Sequence, residues 1–561
     1  MMLRRLCEFA DHIPELPPSM YSPLQFKWQV DLDERGRFQT VVPLSDGTNT
    51  NRGLRMYAPN RKRSGTSPPP LLLADKANYS LGVGAPSPGE SWHFTQFRDL
   101  VAECAESTRE PAVEAVASFL ESHEAAPVRL PQDLGPGDLV VFRVGDIRPI
   151  DLKSVQAFWA RKMSSGDGDT GHCLVCGSRG PVDRVSPIAI KGIPGGQSSG
   201  MALVSANKDA FESYGATQAL IAPTCRACGE AYANAINYML RNDRHHVNVG
   251  PTAFIFWTAG ATDFSPATFI SQPQEEDVKN LIGSYRTGRL QYGLQAEAFY
   301  ALSLSASASR VVVRDWLDTT IPEAQSSLAR WFLLQRIADP FSGEIGKPYG
   351  VYPLAASLYV RANEQMVANV PRALVRCALH AGPLPTWLLA QAVGRNRAEQ
   401  DVTRPRAALI KAVMLSQMED FEEGYMEELD ITCKSPGYLC GRLLAVLEAA
   451  QRVAINPRAT LVDRYYGAAS SAPATVFGYL MRDFQVAHLA KLRKNKPKVY
   501  YAIDSRMQDI LRDLGDFPRT LTLKEQALFS LGYYHQKAAY SAQARERAEL
   551  KELETPEEAE E

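Results

Sequence analysis

Apolar and polar residues alternate from Tyr21 to Leu44, with Tyr21, Leu24, Phe26, Trp28, Val30 and Leu32 before a polar tip that contains Gly36, and Phe38 after it. A period of two on both sides of a glycine turn predicts a β-hairpin. From Arg52 to Pro70 the pattern disappears into Arg61, Lys62, Arg63, Ser64, Gly65 and three prolines, which read as a basic irregular loop. Residues 92–126 return to helical spacing, interrupted at Pro111, and Leu139–Val144 reads as a short strand. Ala253–Trp257, Phe299–Leu304 and Arg310–Trp316 are β-rich, and Ala324–Ile337 has helical spacing. These elements predict an α+β body over residues 1–370.

Beyond Pro371 alanine and leucine recur at intervals of three and four. Leu439, Leu443, Leu447 and Ala450 form one stripe, Val476, Leu480, Phe484 and Ala487 a second, and Leu528, Leu531 and His535 a third. Thr522 followed by Glu525 has the spacing of a capping box. Residues 371–548 are therefore expected to form a C-terminal α-helical bundle, with 549–561 an acidic disordered tail.

Composition narrows the picture. A chain of 561 residues suggests roughly 3 to 4 domains. With 45% hydrophobic residues, 22% charged and 61 cationic side chains against 63 acidic, it is an ordinary globular chain of net charge −2. Any nucleic-acid surface must then be a local patch. The amino-terminal segment breaks its apolar run with Glu8, Asp11 and Pro14, unlike a signal peptide, and no stretch has membrane-spanning length, so a cytoplasmic protein without a membrane partner is expected.

The nine cysteines point to metal. Cys173-Leu-Val-Cys176-Gly177 and Cys225-Arg-Ala-Cys228-Gly229 are two CxxCG knuckles separated by 48 residues. Four thiolates in such pairs suit a structural Zn²⁺ that clamps the ends of an insertion, residues 171–230, and leave no open position for water. The bland alternative is two unrelated pairs of buried thiols, and the adjacent His172 could replace one cysteine.

Within the insertion, Lys191, Gly195, Gly196, Gln197, Ser198, Ser199 and Gly200 are followed by Asn207. Glycines free backbone N–H groups and the side chains add donors, which suits phosphate or base-edge contact; no GK[ST] makes this a P-loop, and a plain surface loop is the competing reading. The run Lys491, Arg493, Lys494, Lys496, Lys498 leading to Tyr500 and Tyr501 suits a single-stranded nucleic-acid path or a solvated helix end. The pair His245-His246 reads as a polar loop. No hydrolase, nucleotide-binding or metalloprotease motif is present, so a non-enzymatic role is expected. The alternatives are a metal-dependent nuclease using Asp31 and Asp33, or a purely architectural zinc protein of a ribonucleoprotein.

Four segments carry a family resemblance: YSPLQFKWQVDLDERGRF, KGIPGGQSSGMALVSANKDAFESYG from Lys191 to Gly215, the strand around Arg310-Val-Val-Val-Arg314, and FPRTLTLKEQALFSLGYYHQ from Phe517 to Gln536. With them the chain resembles, along its whole length, the large subunit of the type I-C CRISPR Cascade surveillance complex, a Csd-type CRISPR-associated protein. The resemblance implies a non-catalytic subunit that recognises the protospacer-adjacent motif (PAM) in duplex DNA, promotes unwinding and R-loop formation, holds the displaced strand and recruits the Cas helicase-nuclease for antiviral defence. It implies as partners the crRNA-containing backbone, crRNA-processing and small subunits, with anti-CRISPR inhibitors a class left open. It also implies that a separate small subunit can arise from an internal start, for which Met414, Met418 and Met426 are positioned. Two segments become candidate DNA contacts: the glycine loop with Lys191 and Asn207, and Arg61, Lys62 and Arg63 with Lys76, Asn78 and Tyr79. The zinc ligands rest on the cysteine spacing alone.

Overall fold

A computed structural model describes residues 2–45, 53–61, 68–164, 169–206, 208–260, 262–287 and 297–554. Lys62, Arg63, Asn207 and residues 555–561 lie outside the described residues. The chain is mixed α and β, with a helical C-terminal region. It divides into two compact units, one of Met1–Lys191 with Gln197–Tyr238, the other of Gly192–Gly196 with Met239–Glu561.

In the first unit the helix α1 (Met2–Asp11) precedes strands β1 (Tyr21–Phe26), β2 (Trp28–Leu32), β3 (Phe38–Pro43) and β4 (Leu54–Pro59). The alternation expected as one hairpin is split at Lys27. β1 pairs with β4 in a separate ribbon, and only β2 and β3 form the hairpin. Its turn is tied by Asp33, whose Oδ1 accepts the backbone N–H of Arg35 and of Arg37, and Gly36 supplies the left-handed φ of 76°.

Strands β5 (Ala74–Lys76) and β6 (Leu139–Val144) complete a sheet of order β3-β2-β6-β5. β2 and β6 are parallel, because the helices α2 (Trp92–Thr108) and α3 (Pro111–Ala125) form the crossover between them. Pro111 starts the second helix, where its missing N–H costs nothing. Phe94, Phe97, Val116 and Phe119 pack with Val30, Val140 and Phe142 as the unit's core. The insertion follows, with the hairpin β7 (Thr170–His172) and β8 (Arg179–Pro181) and then the helix α4 (Arg226–Met239).

The second unit opens with a four-stranded antiparallel sheet of β9 (His246–Val249), β10 (Thr252–Thr258), β11 (Ala298–Ser307) and β12 (Arg310–Thr320). The expected loop at His245-His246 is corrected: His246 begins β9 opposite Ile255, and His245 Nδ1 is bonded to the Phe256 carbonyl. Helix α5 (Ile321–Gln335) starts a turn earlier than its spacing predicts, because Thr320 and Glu323 form a capping box. Phe254, Phe256 and Phe299 share one apolar core with the helices that follow, which is why the compact unit begins at Met239 although the helical texture begins near 370.

Those helices include α6 (Pro436–Ile455), α7 (Pro473–Asp483), α8 (Pro497–Leu514) and α9 (Leu523–Glu554). The Thr522–Glu525 box caps α9 as expected, and α9 runs through residues 549–554 of the expected tail. The first and third stripes are buried, but Ala487 is exposed. A π-helical turn at Phe484–Leu489 shifts the phase, and Leu489 takes the inward position. α6 and α9 meet backbone to backbone: a Cβ at Gly441 would overlap the Phe529 carbonyl oxygen, and one at Gly532 the Tyr438 carbonyl oxygen.

Candidate metal centre and nucleic-acid surfaces

The Sγ atoms of Cys173, Cys176, Cys225 and Cys228 all lie within 4.8 Å of one another, with Cys176 and Cys225 3.9 Å apart. A tetrahedral ion with metal–sulfur bonds of about 2.3 Å requires sulfurs about 3.8 Å apart, so the spacing fits. The first knuckle is the turn of the β7–β8 hairpin, where Gly177 at φ 77° donates its N–H to the Cys173 carbonyl at 2.8 Å. The second sits at the start of α4, whose backbone N–H groups favour thiolate.

The thiols differ in their electrostatics. The bond from Cys228 and then burial push the Cys225 thiol above its ordinary range. Burial also raises Cys176, but hydrogen bonding by Ser178 and Cys173 outweighs it and brings the thiol down to about 6. Four thiolates this close cannot all be charged without a positive ion among them. His172 is not in the set. Among the described residues this is the one cluster of three or more metal-donor side chains.

Two groups that spacing did not disclose hold the centre in place. Cys7 of α1 points its thiol at the Cys228 carbonyl, 3.6 Å away. Glu230 accepts Ser19 Oγ at 2.9 Å and the Met20 N–H at 2.7 Å, and pairs with Arg226. Both contacts span more than 200 residues, so no local motif could reveal them.

The glycine loop closes through paired N–H···O bonds between Ile190 and Met201 and turns at Ile193–Gly196 and Gln197–Gly200. Lys191, Gly195, Gln197, Ser198 and Ser199 are exposed; Gly196 is half-buried. Asn237 of α4 fixes the loop's first limb, its Oδ1 accepting the Lys191 N–H at 2.9 Å and its Nδ2 donating to the Ala189 carbonyl at 3.0 Å. The helix that carries Cys228 thus also carries the anchor of the loop. Beside it Arg184, Ser186, Val204, Ser205, Lys208 and Gln218 line an open cleft of mixed polarity, about 450 Å³ in volume.

The other predicted contacts differ in exposure. Tyr79 is buried, its hydroxyl donating to the Pro68 carbonyl at 2.6 Å and its ring edge-on to His93; it is a core residue, not a surface contact. Lys76 is exposed, whereas Asn78 is half-buried with its Oδ1 shielded, and Arg61 is half-buried. Lys491, Arg493 and Lys494 are exposed on the 490–495 helix of the second unit.

The carboxylates of the nuclease alternative are engaged elsewhere. Asp31 holds the Arg143 guanidinium through bonds of 3.0 and 2.7 Å, and Asp33 holds Arg37 while capping the hairpin. No helix among the described residues is long and apolar enough to cross a membrane.

Compared with family models, residues 3–541 match the family described as CRISPR-associated protein (Cas_Csd1). A comparison with curated proteins found no match.

Proposed function

The chain belongs to the Cas_Csd1 family of CRISPR-associated proteins, and from that premise we propose that it is the non-catalytic large subunit of a cytoplasmic type I-C Cascade complex. In this reading it recognises the PAM in duplex DNA, promotes R-loop formation, and recruits the Cas helicase-nuclease, while base pairing with crRNA reads the sequence. The observation that carries the DNA-contact assignment is the exposed, amide- and hydroxyl-rich loop 191–200, anchored by Asn237 to the helix of the metal centre. A reader of a short motif needs donors held in register, and a clamped loop supplies them. Cys173, Cys176, Cys225 and Cys228 would hold a structural Zn²⁺, whose chemistry is to fix the fold of the insertion. The exposed run from Lys491 to Lys498 would follow the phosphates of the displaced strand.

The nuclease reading is weakened by Asp31 and Asp33, each committed to a guanidinium. The test is reversal of Lys191 to Glu, alone and with Gln197, Ser198 and Ser199 changed to Ala, in the assembled complex. Target-duplex affinity should fall at least tenfold with crRNA assembly intact; unchanged affinity would remove the loop from the DNA interface.

A further inference from the structure

In the second unit, outside the predicted contacts, a cleft of about 210 Å³ is lined by Arg464, Tyr465, Tyr479, Asp483, Phe484 and His488. It is smaller than the ~300–1,000 Å³ of drug-sized ligand sites, so it suits one planar group. Two tyrosines face it, with ring centroids 6.3 Å apart and planes at 52°. Each carries its own cation: the Arg464 guanidinium lies 5.3 Å from the Tyr465 centroid, and that of Arg482 5.1 Å from the Tyr479 centroid. Tyr479 is 47% exposed, unlike a ring placed for packing.

The floor is irregular where the ligand would lie. The π turn at Phe484–Leu489 contributes His488, whose Nδ1 is shielded from solvent and has no hydrogen-bond partner. Single π turns within helices occur frequently at functional sites, and a shielded polar atom without a partner asks for one. Asp483 lies on the same wall, its Oδ1 accepting from the Arg482 guanidinium at 3.4 Å. Stacking faces, guanidinium groups and edge-directed polar atoms together match a nucleotide, whose base stacks and whose phosphate takes the cations.

The neighbourhood favours a nucleotide within a strand over a free one. Lys491 is close enough to His488 to act on its titration, and it begins a run of five exposed cations, Lys491, Arg493, Lys494, Lys496 and Lys498, with no acid among them. We propose that this cleft receives one unstacked base of single-stranded DNA, with the basic run tracking the adjoining phosphates. The proposal rests on the reading of the helical part as the holder of the displaced strand, and names the residues that grip it.

The full chain is irradiated with a fluorescein-labelled single strand of about 20 nucleotides carrying 5-iodouracil, and crosslinked peptides are mapped. Crosslinks should fall on Tyr465 or Tyr479. Tyr479→Ala should weaken binding of the strand about 5- to 100-fold, Tyr479→Phe should restore it, and Arg464→Gln should weaken it less. Deoxynucleoside monophosphates should not compete; competition at micromolar concentration would make this a free-nucleotide site and overturn the assignment to a strand. Undiminished binding by Tyr479→Ala with crosslinks elsewhere overturns the cleft and leaves the proposed function standing. Failure of the unaltered chain to bind any single strand overturns this proposal together with the reading of the basic run as a path for the displaced strand.

Discussion

Between Thr170 and Met239 the buried apolar side chains, among them Val182, Ile190, Met201 and Tyr232, belong to neither of the two large cores. From Asn369 to Tyr534, by contrast, each main helix contributes to one continuous core in which Leu439, Leu443, Leu447, Phe529 and Leu531 are fully buried. The insertion is held by four thiols, the β7–β8 hairpin and side chains such as Asn237 and Glu230, while the helical part is held by apolar area and close helix packing. The two should therefore fail under different insults: metal removal threatens the first, and loss of packing the second.

The sharpest way to test that contrast is to remove one thiol. Cys225→Ser should lower bound zinc from one equivalent to below about half and open residues 171–230 to protease, with the helical circular dichroism signal retained. Collapse of both regions together would break the comparison. Acid comes next. His535 is fully buried, and burial and then the Lys411 charge hold its pKa down at about 3. The unfolded imidazole titrates near 6.5, so its contribution is complete above that pH and is lost as pH falls towards 3, by up to about 5 kcal/mol. Thermal melts of the helical signal should show this slope between pH 6.5 and 4, and His535→Gln should flatten it.

Packing changes are expected to be smaller. Gly441→Ala forces a Cβ against the Phe529 carbonyl and should cost about 2–3 kcal/mol, read as a lower melting temperature with zinc content unchanged. Tyr533→Phe removes the 2.7 Å bond to the buried Glu448 carboxylate, which Arg452 still pairs; about 1–2 kcal/mol is expected.

The contrast also separates what was legible in the sequence from what was not. Periodicity disclosed the helices of the core, because Leu439, Leu443 and Leu447 repeat at the pitch that buries them. It failed at Ala487, where the π turn changes the phase, and at Lys27, where one run of alternation serves two different sheets. Cysteine spacing disclosed the thiol cluster, because the ligand pairs are local. Tyr79 is a candidate contact through the family resemblance, and its burial, with its bond to Pro68, reveals it as core. The Tyr465–Tyr479 cleft has no linear signature, since its rings come from separate helices.

The contacts of α1 have a consequence for how the first unit is made. The Phe9 ring lies 6.3 Å from that of Tyr238, tilted by 55°, and the Cys7 thiol reaches the Cys228 carbonyl. Synthesis at 5–20 residues per second leaves α1 waiting roughly 10–45 s for that partner helix to leave the ribosome. Throughout that interval the amphipathic helix and its Cys7 thiol lack their partner, and α4 is the helix that packs against them.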